Sequence, residues 1–134
     1  MITYTDSIEG ITSDMLRGFF EGWRRTVTPT EHLRILDNSH AFQCAVDEET
    51  GSVVGFITAV SDGILCAYLP LLEVLPAYRG QGIGTELVRR MFEKLDDIYM
   101  IDLMCDKELV RFYERFGFMS TRGMIIRNTS KRKS

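Results

Sequence analysis

Cysteine is scarce in this sequence and follows no ligand or bridging pattern. The 134 residues include three, Cys44, Cys66 and Cys105, which form neither a Cys-x-x-Cys pair nor an even framework. That argues against a disulfide-stapled secreted scaffold and for a reducing compartment. Long apolar runs are missing as well: none reaches the roughly 18 residues that a membrane span needs. The opening MITYTDSIEG lacks the charged-then-apolar order of a secretory leader. A cytoplasmic location without a membrane partner is expected. Nor is there surplus positive charge. Sixteen Lys and Arg against 19 Asp and Glu leave a net charge of −3, which gives no basic face for a nucleic-acid backbone. Only SKRKS at the end is locally basic, and residues 128–134 are expected to be a frayed, solvated tail. No His/Cys/Asp cluster has metal-ligand spacing, so no metal is expected. Repeats, low-complexity tracts and Pro/Ser-rich linkers are absent too, and the chain reads as a single domain over 1–134.

What is present is a mixed order of α and β patterns, and 45% of the residues are hydrophobic, enough to build a core in one domain. After a short first strand, TSDMLRGFFEGW carries Met15, Leu16, Phe19, Phe20 and Trp23 at helical spacing. At least two of its three aromatics are expected in the core. PTEHLRILDNSH reads as a second helix whose His32, like His40 after it, is expected at the surface or in a cap. AFQCAVDEE and SVVGFITAVSDG predict a hairpin turning at Glu49–Thr50–Gly51. The fourth strand, ILCAYLPLLEVLP, contains Pro70, which has no N–H for a ladder, so the strand must be broken, bulged or unpaired there. Ile83, Leu87, Val88, Met91, Phe92 and Leu95 form one apolar stripe, the strongest helical signal in the chain. IYMIDLMC reads as a fifth strand, KELVRFYERFGF as a helix stopped by Gly117, and FMSTRGMIIRN as a last strand.

Between the fourth strand and the strongest helix lies RGQGIG, residues 79–84. Glycines at the start of a helix let several unpaired backbone N–H groups converge where the helix dipole is positive, a setting for an anion. The dinucleotide fingerprint fails, because Leu87 stands where a reading from Gly82 needs glycine, and no Gly-Lys-Ser/Thr follows for a Walker loop. A dinucleotide oxidoreductase is disfavoured for the same reason. Arg79, Gly82 and Gly84 do fit Arg/Gln-x-x-Gly-x-Gly/Ala. Taken with LLEVLPAYRGQGIGTELV as a whole, the fifth strand and FYERFGF, the sequence resembles the GNAT superfamily of N-acetyltransferases from its first helix to its last strand.

The resemblance implies an α/β (α+β) fold with a mixed, mostly antiparallel central sheet flanked by helices and a splayed fourth and fifth strand pair. It implies acetyl-CoA as cosubstrate. The pyrophosphate would be held by Arg79, Gly80, Gln81, Gly82, Ile83, Gly84 and Thr85, and the pantetheine arm by the main chain of Leu72 and Val74. Asp106, seven residues before Tyr113, stands where many members carry an asparagine that contacts the pantetheine arm, which makes it a cofactor-binding candidate by the resemblance. Tyr113 matches the tyrosine that faces the CoA sulfur, although its place on the Leu109–Phe112–Phe116 stripe also suits packing alone. Tyr68 falls where some members carry a basic carboxylate. Glu73, flanked by Leu71, Leu72, Val74 and Leu75, is the nearest substitute, and apolar surroundings would raise its pKa. Strand alternation alone leaves open whether Glu73 turns toward a site, solvent or a helix-borne arginine, and Asp102 is equally ambiguous. The implied reaction moves an acetyl group to a primary amine of a small molecule or protein. The alternative is a non-catalytic acyl-CoA-binding sensor. Many members are dimers, and the sheet edge near the C-terminal strand would offer a homodimer surface.

Overall fold

A computed structural model describes residues 1–128. Apart from Asn128, the expected basic tail lies outside them. Contact density divides the chain into two units, 1–102 and a second beginning at Leu103, and each is described by itself.

The first unit is built on a six-stranded sheet. Strands β1 (Ile2–Thr5), β2 (Ala41–Asp47), β3 (Ser52–Ser61), β4 (Cys66–Tyr68) and β6 (Met100–Asp102) follow one another in space, and β5 (Leu72–Val74) also pairs with β3. Every pairing is antiparallel except β4 with β6. The β2–β3 hairpin turns as expected: Gly51, at φ +75°, donates its N–H to the Asp47 carbonyl at 2.8 Å.

The expected fourth strand is β4 and β5, interrupted around Pro70. On β3, Val60 stands opposite Tyr68, whereas Ile57 stands opposite Leu72. The sum of partner numbers changes from 128 to 129, so the interruption holds one extra residue, a β-bulge. The expected fifth strand is β6. It pairs with β4 and accepts the Leu69 N–H at the Asp102 carbonyl (2.9 Å), but forms no ladder with β5. The splayed pair is therefore present.

Two layers cover the sheet. Helix α2 (Ile83–Lys94) buries Ile83, Leu87, Val88 and Met91 against one face. The other face carries Phe42, Cys44 and Phe56 under Leu16, Phe19, Phe20 and Leu36. Leu36 comes from helix α1 (Pro29–Asn38), whose start is well specified. Pro29 occupies the first turn, Thr28 Oγ1 accepts from the Glu31 N–H (3.1 Å), and Glu31 Oε1 accepts from the Thr28 N–H (3.0 Å). In the second unit, Lys107–Leu109 makes a 3-10 turn that leads into helix α3 (Val110–Glu114).

Three expectations fail. The helix expected over 12–23 is only a 3-10 turn at Ser13–Met15, because Gly18, Phe20 and Gly22 adopt left-handed φ of +93°, +64° and +81°, which no right-handed helix accommodates. The last strand expected over 118–128 is not formed. Strand propensity is realised only against a partner, and none pairs with this segment among the described residues, leaving Met119, Met124, Ile125 and Ile126 exposed. His32 is not at the surface but 1% exposed. Its ring lies 4.2 Å from Phe56, 5.0 Å from Phe20 and 5.3 Å from Phe19, and neither nitrogen has a hydrogen-bond partner among the described residues.

That cage has a thermodynamic consequence. Burial lowers the His32 pKa from 6.5 to about 4, so between those values the unfolded chain binds a proton that the folded one refuses. Stability is full above about pH 6.5 and declines as pH falls toward about 4. His32→Leu should remove this part of the acid sensitivity. In thermal melts from pH 7 to pH 5, the melting temperature of wild type should drop more than that of the variant. Parallel curves would refute the assignment, as would an NMR titration showing His32 protonated in the folded protein at pH 6.

Candidate functional site

The turn after β5 has its conformation forced by backbone handedness. Pro76 opens a 3-10 turn, Pro76–Tyr78, and the Tyr78 N–H bonds the Leu75 carbonyl at 2.9 Å. Gly80 and Gly82 then take φ of +80° and +84°, a region that side-chain-bearing residues rarely enter. A Cβ added at either would meet no atom of the other described residues within 4 Å, chain neighbours aside, so among the described residues the space beside this backbone is open. The first bond of α2 runs from the Glu86 N–H to the Gly82 carbonyl (3.0 Å), and Gly82 supplies no side-chain cap. The N–H groups of Ile83, Gly84 and Thr85 thus lack intrahelical acceptors at the positive end of a 12-residue helix. This donor set suits a pyrophosphate. Glu86, in the same first turn, would oppose an anion. Its charge is balanced by Arg89 and Arg90 at 2.6 and 2.7 Å, and the Arg89 hydrogen bond leads in holding its pKa down to about 2.

Next to the turn lies the free edge of β5. Phe56 and Glu73 are register partners, flanked by bonds from the Thr58 N–H to the Leu71 carbonyl and from the Leu75 N–H to the Val54 carbonyl. By antiparallel alternation, Leu72 and Val74 therefore aim their main-chain groups away from β3. Arg79 Nε donates to the Val74 carbonyl at 2.8 Å. The groups left for a ligand are both N–H groups and the Leu72 carbonyl. The Arg79 side chain is thus engaged with β5, and its contribution to the turn is at least partly structural.

The bulge settles the direction of Glu73. Without the extra residue, the alternation fixed at Tyr68 would put Leu72 on the Phe56 face and turn Glu73 toward α2. With it, Glu73 shares the face of its partner Phe56. There Glu73 Oε1 accepts the Phe20 N–H at 3.1 Å. Glu73 points neither to open solvent nor to a helix-borne arginine: it is half-buried, and burial raises its pKa despite the Phe20 bond and Arg79. Phe20 is the one non-glycine among the described residues with positive φ, a conformation that costs about 1–3 kcal/mol. It is held there by a ring buried against Trp23 (5.1 Å) and His32. Phe19 and Phe20 are core residues as expected, while Trp23 is 52% exposed. Asp102 and Tyr68 are register partners in the parallel pair, and both are exposed.

In the second unit, Asp106 is exposed and precedes the 3-10 turn, its carbonyl accepting the Leu109 N–H at 2.9 Å. Tyr113 is 8% exposed, with Phe112 at 4.9 Å and Phe118 at 5.8 Å. Burial first, and Cys105 second, push its pKa up to about 12. No described residue hydrogen-bonds to its hydroxyl. The described residues contain no cluster of three or more His, Cys, Asp or Glu able to hold a metal, and none of their helices is long and apolar enough to cross a membrane.

Sequence reasoning missed two features. Phe20 lies inside the helix expected over 12–23; the glycines on either side, Gly18 and Gly22, are the available signal of its true conformation. The pairing of Asp47 with Tyr78, at 2.6 Å, had none, since 31 residues separate them.

Comparison with known proteins agrees with this geometry. The chain is 31% identical over 104 residues to the uncharacterized N-acetyltransferase ycf52 of Gracilaria tenuistipitata var. liui, covering 74% of this chain and 56% of that protein. It is 35% identical over 72 residues to the histone acetyltransferase TAP1 of Glycine max, covering 52% and 31%. The chain thus spans about half or less of the length of these relatives. A solved structure from Deinococcus radiodurans R1, named as an acetyltransferase, superimposes with a TM-score of 0.91 at 46% identity, over 95% of this chain and 88% of that one. A GNAT-family acetyltransferase of Streptococcus pneumoniae TIGR4 gives 0.76 at 27% identity, over 96% and 99%. Residues 8–118 match the acetyltransferase (GNAT) family as a whole, and the chain belongs to that family.

Proposed function

We propose that this chain transfers an acetyl group from acetyl-CoA directly to a primary amine of a small molecule or protein. The observation that carries the reading is the juxtaposition of two unpaired donor sets: the N–H groups at the start of α2, and the outer edge of β5 freed by the bulge. The first suits a pyrophosphate and the second an extended amide-bearing arm. Bound acetyl-CoA supplies an activated thioester, and the chain's residues do the rest.

A lysine-like ammonium, pKa about 10.4, is neutral in only a few molecules per ten thousand at pH 7, which costs about 5 kcal/mol unless a base assists. Glu73 is the residue for that role. Its pKa is raised by burial, and with Oε1 engaged by the Phe20 N–H, Oε2 is the oxygen available for the proton. The Val74 N–H suits the thioester oxygen as negative charge grows on it. Tyr113 is the donor toward the departing thiolate. Its pKa of about 12 against about 8.5 for a thiol is a gap of about 3.5 pH units, roughly 5 kcal/mol for complete proton transfer. Tyr113 therefore acts by hydrogen bonding to the thiolate rather than by protonating it.

Three outcomes check this reading. CoA at about 100 times its Kd should stabilise the wild-type chain by about 2.7 kcal/mol, and Gly84→Val should lose most of the resulting thermal shift. Gly84 is the better test position, because valine at Gly82 would also strain φ +84°. Normal binding by the Gly84 variant would refute the pyrophosphate assignment.

Glu73→Gln should lower kcat/KM for an amine identified from a panel by about 10²–10⁴ at pH 7. The deficit should shrink at pH 9, where more amine is already neutral. A loss that stays constant with pH would remove Glu73 as the base.

Tyr113→Phe should lower kcat about tenfold to a thousandfold with acetyl-CoA affinity nearly unchanged. Unchanged turnover would make Tyr113 a packing residue. CoA binding without thiol release across a broad amine panel would instead mark a non-catalytic acyl-CoA-binding module.

A further inference from the structure

Asp47 and Tyr78 take no part in the chemistry above, yet their contact is well made. Asp47 ends β2 and is 9% exposed. Its Oδ1 accepts the Glu49 N–H at 3.0 Å inside the hairpin turn, and its Oδ2 accepts the Tyr78 hydroxyl at 2.6 Å. This is the length of a charge-assisted hydrogen bond between a hydroxyl and a carboxylate. Each partner responds as such a bond requires: it leads the causes that lower the Asp47 pKa and those that raise that of Tyr78.

The position of the bond matters more than its strength. Tyr78 is the last residue before Arg79–Gly84, and Arg79 is itself tied to the Val74 carbonyl. Beyond it, Gly80, Gln81 and Gly82 are exposed, and the two glycines are left-handed. Such a segment loses much conformational freedom when ordered. At its far end Ile83 is buried, its Cγ2 lying 3.2 Å from where a Cβ on Gly55 would stand. The turn is fixed by packing where it leaves and by the Asp47–Tyr78 and Arg79–Val74 bonds where it begins.

We propose that Tyr78 and Asp47 are a positioning pair that preorganises the glycine turn for the pyrophosphate of a CoA thioester, with neither residue touching that ligand. The inference rests on the reading of this turn as the pyrophosphate site. A ligand that finds the turn already shaped does not have to order it, so the pair contributes to affinity. The rate of the chemical step does not depend on it.

Calorimetric titration of CoA into the full chain tests the pair. Tyr78→Phe, which keeps the ring, and Asp47→Asn should each weaken Kd about fivefold to twentyfold. The double variant should be no weaker than the weaker single one, because both remove the same charge-assisted bond. With an identified amine, KM for acetyl-CoA should rise in step with Kd while kcat moves less than twofold. A purely structural role would instead lower the melting temperature without ligand and leave Kd within twofold of wild type, which would overturn the inference. So would losses that add in the double variant. Should Asp47→Asn fail to fold because the hairpin turn needs it, Tyr78→Phe alone decides. Absence of CoA binding by wild type would instead sink the pyrophosphate reading itself.

Discussion

One backbone group that does not exist governs the layout of the sheet. Pro70 has no N–H, so the strand that contains it cannot continue its ladder unbroken. The chain absorbs this with a single extra residue opposite β3. Two effects follow together. The strand splits into β4 and β5, and β6 stays with β4, which leaves one edge of β5 without a ladder among the described residues. The parity of every residue after the bulge also reverses, which brings Glu73 onto the aromatic face and sends Leu72 and Val74 toward α2. A carboxylate beside the core and a row of free amide groups at the edge are thus one event in the backbone.

The two loops beside β5 are shaped in a common way. Residues 18–22 and 80–82 both depend on left-handed backbone, and each is anchored by groups packed elsewhere: Phe19 and Phe20 under α1 in one case, Ile83 and the Asp47–Tyr78 bond in the other. Neither depends on flexibility. The strain at Phe20 is compensated by a buried ring and by an N–H bonded to Glu73, so a costly conformation and a half-buried carboxylate support each other. Burial alone would push Glu73 toward neutrality, while the Phe20 N–H favours its charged form.

Much of this was legible in the sequence, and the exceptions have identifiable causes. The stripe from Ile83 to Leu95 and the Gly51 turn are local patterns in which each residue's neighbours decide its state. Pro70 announced a break, but not whether zero, one or two residues would be inserted, and Glu73's direction depends on that number. The helix expected over 12–23 had the right apolar residues at the wrong backbone handedness, since Gly18 and Gly22 permit excursions that spacing does not register. His32 looked polar and therefore exposed, but its setting is made by Phe19, Phe20 and Phe56 from three separate segments. The last strand failed for the opposite reason, since its residues favour a ladder and none is supplied among the described residues. Asp47 and Tyr78 meet only after the sheet has formed, so neither neighbourhood foretells the contact.

The three cysteines, spread without pattern along the chain, are equally uneven in their surroundings. Cys44 is fully buried beneath the aromatic layer, its thiol pushed up to about 12, whereas Cys66 and Cys105 are exposed. Thiolate is the form that reacts with disulfide reagents and electrophiles. Colorimetric detection of a thiol product would therefore meet two exposed protein sulfhydryls per chain, Cys105 being the slower because burial and Asp106 raise its pKa, and a third that answers only after denaturation. At enzyme concentrations comparable to product, that background would be read as turnover. A Cys66→Ser, Cys105→Ser background makes each counted sulfhydryl a product molecule, and the reactivity of Cys44 in it becomes a reporter of whether the sheet is intact.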